Sequence, residues 1–212
     1  MSTPLIEVQN LKKYFQVSAG TNHAVDDITF RIERGRTMGI VGESGCGKST
    51  LGRTIIRLYD ATDGKILLNG EDITFARGKK LREVREKMQI IFQDPYASLN
   101  PRMSIYSTIQ EPLKESRRFT RRELDERTEE LMDRVGIEER LRTAYPHELD
   151  GGRRQRVGIA RAIALNPEFI MCDEPVSALD VSIQAQVLNL LMTLQQDLGL
   201  TYMFVTHDLS VV

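Results

Sequence analysis

The chain is poor in cysteine, nearly balanced in charge and without a long apolar run. Its two cysteines, Cys46 and Cys172, lie far apart, which excludes a disulfide framework and suits a reducing compartment. Formal net charge is −1 over 212 residues, so no global basic field favours nucleic acid and no such partner is expected. No apolar run approaches the roughly 18 residues needed to cross a bilayer. The polar start Met1-Ser2-Thr3-Pro4 does not read as a signal peptide. The expectation is a soluble chain whose membrane role, if it has one, is by docking onto another protein. Internal repeats and low-complexity tracts are also missing. With 41% hydrophobic and 28% charged residues, the composition fits one globular domain with room for a subdomain.

What is present centres on Gly42-Glu43-Ser44-Gly45-Cys46-Gly47-Lys48-Ser49-Thr50. It matches G-x-x-x-x-G-K-[ST], the P-loop. A match in a chain this long arises by chance on the order of one time in a hundred at average residue usage. Thr37 to Val41 before it reads as a buried strand, and Leu51 to Leu58 after it has apolar residues at helical spacing. Strand, glycine loop and helix together hold a phosphate on backbone N–H groups and the positive end of a helix dipole. Lys48 is expected to reach the β- and γ-phosphates, and the Ser49 hydroxyl to ligate Mg²⁺.

Along the chain, Leu5 to Leu11 and Ala24 to Glu33 alternate as strands, with Lys12-Lys13-Tyr14-Phe15 leading into a polar loop through Ser18, Gly20 and Asn22 between them. Short turns joining these strands suggest an antiparallel sheet beside the nucleotide core. Asp60 to Gly64 is a turn, Lys65 to Gly70 a strand, Lys79 to Lys87 a charged helix and Met88 to Phe92 a buried strand. Pro95, Pro101 and Pro112 break up the stretch to Lys114, so it is not one regular element. Thr120-Arg121-Arg122-Glu123 is a capping box for a helix to about Val135 with Leu124, Leu131 and Val135 inward. Its mixed charges read as a solvated face. Arg153 to Leu165 is a helix, and Asp180 caps another carrying Ile183, Val187, Leu190, Leu191, Leu194 and Leu198 on one stripe. Strands alternating with helices predict a parallel α/β sheet, with a mostly helical insertion from about Asp94 to Asn166.

Three further strand ends carry polar residues suited to nucleotide chemistry. Asp173 follows Phe169-Ile170-Met171-Cys172 and is placed to hold Mg²⁺, directly or through water, with Ser49. Glu174, next in the chain, is the candidate to polarise the attacking water. His207 follows Thr201 to Thr206 and is expected at the same crevice, outside the carboxyl ends of parallel strands. Gln93 ends another strand and can offer its carbonyl to Mg²⁺. Tyr14 is a candidate to stack on adenine, by analogy with base–aromatic stacking, or else a core aromatic.

The ordered set of Tyr14, the P-loop, Gln93, Leu149-Asp150-Gly151-Gly152-Arg153-Arg154-Gln155-Arg156, Phe169 to Glu174, Ser177-Ala178-Leu179-Asp180 and His207 resembles the ATP-binding subunit of ABC transporters. Gln93 to Pro101 is similar to the branch serving oligopeptide, dipeptide and nickel importers. The resemblance covers essentially the whole chain. It implies a P-loop NTPase (RecA-like) parallel sheet core, formed by 1–93 and 167–212 with an N-terminal antiparallel β subdomain. A mostly helical subdomain spans 94–166. ATP and Mg²⁺ are the implied cofactors. Residues 42–50 with Tyr14, Gln93, Asp150, Gly151 and Gly152 are the implied nucleotide contacts, Ser49, Gln93 and Asp173 the metal contacts, and Glu174 and His207 the catalytic pair.

The resemblance further implies two such subunits packed head to tail, each ATP lying between one P-loop and the other subunit's glycine pair at a helix N-terminus. Implied partners are a second ATPase subunit, integral-membrane permease subunits and, indirectly, a solute-binding protein. The implied place is cytoplasmic, peripheral on the inner face of the membrane. A soluble ABC-type ATPase acting as an assembly or regulatory factor is the alternative, and a module that binds nucleotide without turnover is disfavoured by Glu174 and His207. Two departures stand out. The usual Leu-Ser-Gly-Gly-Gln has Asp150 for Ser and Arg153 for Gln, which points to a differently tuned composite site and favours a heterodimer. The chain also stops at Val212 where family members continue, so a C-terminally shortened, less stable domain is expected.

Overall fold

A computed structural model describes residues 3–18 and 20–208. The described residues fall into two compact units, one drawn from Met1–Ile90, Glu168–Asp173 and Gln195–Val212, the other from Ile91–Pro167 and Glu174–Leu194.

The first unit holds two sheets. Strands β1 (Ile6–Val17) and β2 (Gly20–Ile32) form a long antiparallel hairpin. Gly20 and Asn22, expected in a polar loop, are therefore strand, with Ser18 in a turn, because each arm pairs with the other and needs no buried face to be held. Alternation puts Ile6 and Val8 in the core, and a register shift then lets Leu11 follow them inward. At the shift, Asn10 takes a φ of 47° and its side-chain amide donates to Asp27 at 2.8 Å. β3 (Thr37–Val41) leads into helix α1 (Lys48–Ile55). β4 (Asp63–Leu68) pairs with β1, and β5 (Glu71–Asp72) with β4. Helix α2 (Gly78–Lys87) precedes β6 (Met88–Ile91).

Helices dominate the second unit. α3 (Ile105–Ser116), α4 (Arg121–Val135) and α5 (Gly151–Ile163) pack pairwise. α4 opens with the expected capping box, Thr120 accepting from the Glu123 N–H and Glu123 accepting from that of Thr120. Pro112, expected to interrupt regular structure, sits inside α3. The helix tolerates it because Ile105, Ile109 and Leu113 are fully buried along one face, and that burial outweighs one missing backbone bond.

β7 (Phe169–Asp173) returns to the first unit, buried at every position. Helix α6 (Val181–Leu198) buries Val187, Leu191 and Leu194, the i, i+4, i+7 part of its predicted stripe. β8 (Thr201–Thr206) closes the second sheet, whose order is β3-β8-β7-β6. β8 runs parallel to both β3 and β7. One core lies under α1 and both sheets, from Leu5, Ile6 and Val8 to Phe169, Met171 and Val205. This is the α/β P-loop architecture expected, with the antiparallel sheet and the helical stretch in place.

Candidate functional site

In the first unit three chain segments arrive at one end of the parallel sheet. Val41 is opposite Thr206, and Val205 opposite Asp173. The P-loop, Asp173 and His207 therefore leave adjacent strands at their carboxyl ends, where α/β sheets bind ligands.

The glycine loop curls tightly enough to require its glycines. Gly47 has a φ of 98°, and a Cβ there would lie 2.1 Å from the Ala24 carbonyl oxygen. It is also the residue before α1, and no side chain caps that helix end. By contrast Ser104, Thr120 and Asp150 cap α3, α4 and α5. An uncapped helix with no acidic residue in its first turn keeps its N–H groups and positive dipole end for an external anion. The Lys48 ammonium is drawn into the loop, donating to the Gly42 and Glu43 carbonyls at 2.7 and 2.6 Å. Cys46 is exposed, and its sulfur lies 3.8 Å from that ammonium. Cys172 is buried on β7, and burial pushes its thiol pKa up.

The Ser49 hydroxyl donates to Asp173 Oδ1 at 2.6 Å, joining two residues 124 positions apart. Asp173 is 2% exposed. A buried carboxylate needs partners, and its second oxygen has one in Arg53, whose Nη2 is 3.0 Å away. Hydroxyl and carboxylate oxygens are the donors a hard cation takes. No cluster of three or more His, Cys, Asp or Glu exists among the described residues. That donor set fits Mg²⁺, which is held by one or two protein oxygens and completed by phosphate and water, better than a metal needing an all-protein cage. Arg53 was not among the residues singled out from the sequence. The available signal was its position, four residues after Ser49 on the same helix face.

His207 lies just past β8, in a turn where Thr206 Oγ1 accepts from the Asp208 N–H at 3.0 Å. Tyr14 sits on β1, stacked on His23 with ring centroids 3.9 Å apart, and its hydroxyl donates to Asp26. That hydrogen bond, with burial and nearby carboxylates, pushes the phenol up to about 12. One face of the ring is thus occupied within the chain.

The second unit brings together Gln93, Glu174 and Ser177. The Gln93 amide donates to Glu174 Oε2 at 2.8 Å and reaches Ser177 Oγ at 3.5 Å. With its nitrogen used this way, the side-chain oxygen is the group Gln93 has left to offer a ligand. Glu174 has a φ of 49°, a region unfavourable for any residue with a Cβ and concentrated at functional sites. The turn redirects the chain immediately after Asp173, so consecutive carboxylates are given to different surroundings.

Asp150 caps α5 as its residue type predicts. Oδ1 accepts from the Arg153 N–H at 2.7 Å, and Oδ2 takes the Arg153 guanidinium. Arg153 also reaches Glu138 Oε1 at 3.1 Å. The backbone hydrogen bond first, then the guanidinium, holds the Asp150 carboxyl below the usual carboxylate range. Arg154 instead donates to the Pro146 carbonyl at 2.7 Å and lies over the Tyr96 ring. Gly151 and Gly152 open the helix against α6 and the turn before it, where a Cβ on Gly152 would come within 2.6 Å of Ile183.

Comparison with known proteins bears on this arrangement. Residues 25–177 match the family described as ABC transporter. The oligopeptide transport ATP-binding protein OppF of Bacillus subtilis is 56% identical over 214 residues, covering 100% of this chain and 70% of that protein. AppF of the same organism, also an oligopeptide transport ATP-binding protein, is 54% identical over 98% of this chain and 66% of its own length. OppF of Salmonella typhimurium is 50% identical over 98% of this chain and 65% of its length. The chain thus spans about two thirds of these relatives. Among solved structures, the ATP-binding cassette MJ0796, a dimer in a post-hydrolysis state bound to ADP and Pi, aligns with a TM-score of 0.88 at 30% identity, over 97% of this chain and 89% of its own. The cbiO1 subunit from Clostridium perfringens, part of the transporter complex cbiONQ, aligns with a TM-score of 0.87 at 31% identity, over 100% of this chain and 81% of that one.

Proposed function

The chain belongs to the ABC transporter family, and on that premise we propose that it is the ATP-hydrolysing subunit of an importer for small solutes, peptides first among them. The observation that carries the ATPase assignment is the 2.6 Å approach of the P-loop Ser49 to Asp173 beside an uncapped helix N-terminus. The peptide assignment rests on the likeness to OppF and AppF.

Each residue has a task that its chemistry suits. The N–H groups of residues 42–50 and the Lys48 ammonium hold the phosphates. Ser49 and Asp173 hold Mg²⁺, with the Gln93 carbonyl as a further donor. The cation would supply positive charge to offset that of the transferred phosphate. Glu174 takes the proton of the attacking water as general base. The Gln93 amide, bonded to Glu174, fixes that carboxylate's direction. His207, at the carboxyl end of β8, donates to the γ-phosphate and orients the water. Tyr14 offers its other ring face to adenine. Asp150, Gly151 and Gly152 serve the ATP held on a second ATPase subunit's P-loop. The full assembly is a heterodimer of unlike ATPase subunits on the inner face of the membrane, docked on permease subunits that receive solute from a binding protein. No helix among the described residues is long and apolar enough to cross a membrane, which fits a peripheral place.

Two measurements test this reading. The tagged full-length protein, solubilised from its own membranes, is expected to elute with integral-membrane subunits and a second ATPase. Elution with a cytosolic complex instead would favour the assembly-factor alternative. Within the purified assembly, Glu174→Gln is expected to bind ATP normally and to lose at least about a hundredfold in turnover. Turnover at the native rate would remove Glu174 as the base.

A further inference from the structure

Asp173 is fixed from two sides by one helix. Ser49 and Arg53, four residues apart on α1, face the end of β7 together and divide the carboxylate between them, Ser49 on Oδ1 and Arg53 on Oδ2. The carboxylate is almost wholly buried, whereas the Arg53 side chain is 36% exposed. The arginine therefore runs from solvent inward to the acid. Its guanidinium makes a second bond to Tyr59. Its Nε is buried without a hydrogen-bond partner among the described residues. A guanidinium is always charged, so its bond engages Oδ2 and balances the carboxylate's charge, while Oδ1 is left to Ser49.

We propose that Arg53 is a positioning residue for the metal ligand Asp173. By holding Oδ2, it presents Oδ1, beside the Ser49 hydroxyl, as the oxygen that takes the cation. The inference rests on the reading of Ser49 and Asp173 as Mg²⁺ ligands and adds the group that aims them. Outer partners of this kind typically change metal affinity or activity by about ten- to a hundredfold when removed. Retaining positive charge is not sufficient, since a lysine ammonium is a compact, strongly hydrated charge on a shorter stem than the guanidinium that reaches Oδ2.

The test uses Mn²⁺ as a spectroscopic probe, titrated into the full-length protein with ADP and followed by the loss of free Mn²⁺ signal. Arg53→Gln is expected to weaken Mn²⁺ binding about tenfold or more, with ADP affinity in the absence of metal within about twofold. Arg53→Lys is expected to recover only part of the loss. In the assembled transporter the Mg²⁺ needed for half-maximal ATPase should rise in parallel. Mn²⁺ affinity unchanged in Arg53→Gln, while Asp173→Asn weakens it, would overturn the role of Arg53 alone. Affinity unchanged in both variants would overturn the ligand reading itself. Thermal melting of each variant identifies a folding defect, and a variant that melts early with native Mn²⁺ affinity in its folded fraction counts against the proposal.

Discussion

Two residues carry sharp consequences at the scale of single side chains. Asp150 puts a carboxylate where the family's usual signature has a hydroxyl, and like charges repel if that carboxylate faces a phosphate. The structure shows it engaged within its own chain by the Arg153 N–H and guanidinium. Asp150→Ser keeps the cap, since serine serves as well, and leaves Arg153 paired with Glu138 alone. The expected result in the assembled transporter is a severalfold gain in ATP affinity at the site this signature serves; unchanged affinity and rate would end the idea of a tuned site. Arg57 is the largest fully buried side chain. Its guanidinium donates to the carbonyls of Ile73 and Ala76 at 3.0 and 3.2 Å and pairs with Asp60 at 3.1 Å. Arg57→Met strands those carbonyls, at about 1–3 kcal/mol for each buried group left unpaired. At about 2–4 °C per kcal/mol for a chain of this size, a fall in melting temperature of at least about 4 °C follows. A fall under 1 °C would mean that water replaces the guanidinium.

At the scale of elements, α1 is built for an anion and α5 for an internal carboxylate, and glycine makes the difference. Gly47→Ala would force a Cβ to 2.1 Å from the Ala24 carbonyl at a φ of 98°. The loop must then open, and ATP binding is expected to fall by more than about tenfold by equilibrium titration; native affinity would show that β2 gives way instead. α4 supplies a contrast, since its cap is closed within the helix itself by Thr120 and Glu123. Thr120→Ala removes the N-cap side chain and should cost about 1 kcal/mol. ATPase activity at moderate temperature should be unaltered. These elements were largely legible in the sequence. The capping box, the P-loop strand and the stripe of α6 are local patterns whose period or end signal survives in the fold. The hairpin from Lys12 to Asn22 was not legible, because its strands are held by pairing with each other and carry few buried apolar residues. Pro112 misled in the opposite direction, since a local breaker is overridden when the helix around it is buried.

For the whole molecule, acid is the condition that separates its charges from their partners. Hydrogen bonds from Arg77 and then Arg57 lower the Asp60 carboxyl to about 2. A carboxyl depressed on folding contributes stability in full above its unfolded value of about 3.9. That contribution is lost as pH falls through the folded value. Asp60 is half exposed, so screening keeps the effect modest. Glu168, facing Arg34 and Lys87, is also held below the carboxylate range against its own burial, by Asn69 first and then by the two cations. Stability measured by denaturant titration is expected to be level above about pH 5 and to decline from about pH 4 toward 2. Arg77→Gln should flatten part of that decline. Stability rising on acidification would contradict the sign.

By itself the sequence determined the P-loop, the strand ends that carry Asp173, Glu174 and His207, and the alternation that makes the chain an α/β protein. These are short-range properties: a turn that only glycine can make, an apolar run that must be buried, a cap next to its helix. Tertiary structure alone decided which acid meets Ser49, since Asp173 lies 124 residues away and only the order of parallel strands brings it there. It also decided that Arg53 shares that acid and that Gln93 spends its amide on Glu174. The physical reason is the same in each case. A buried or strained charge takes its partner from whatever the packing of distant elements places within about 3 Å, and that distance is set by the fold.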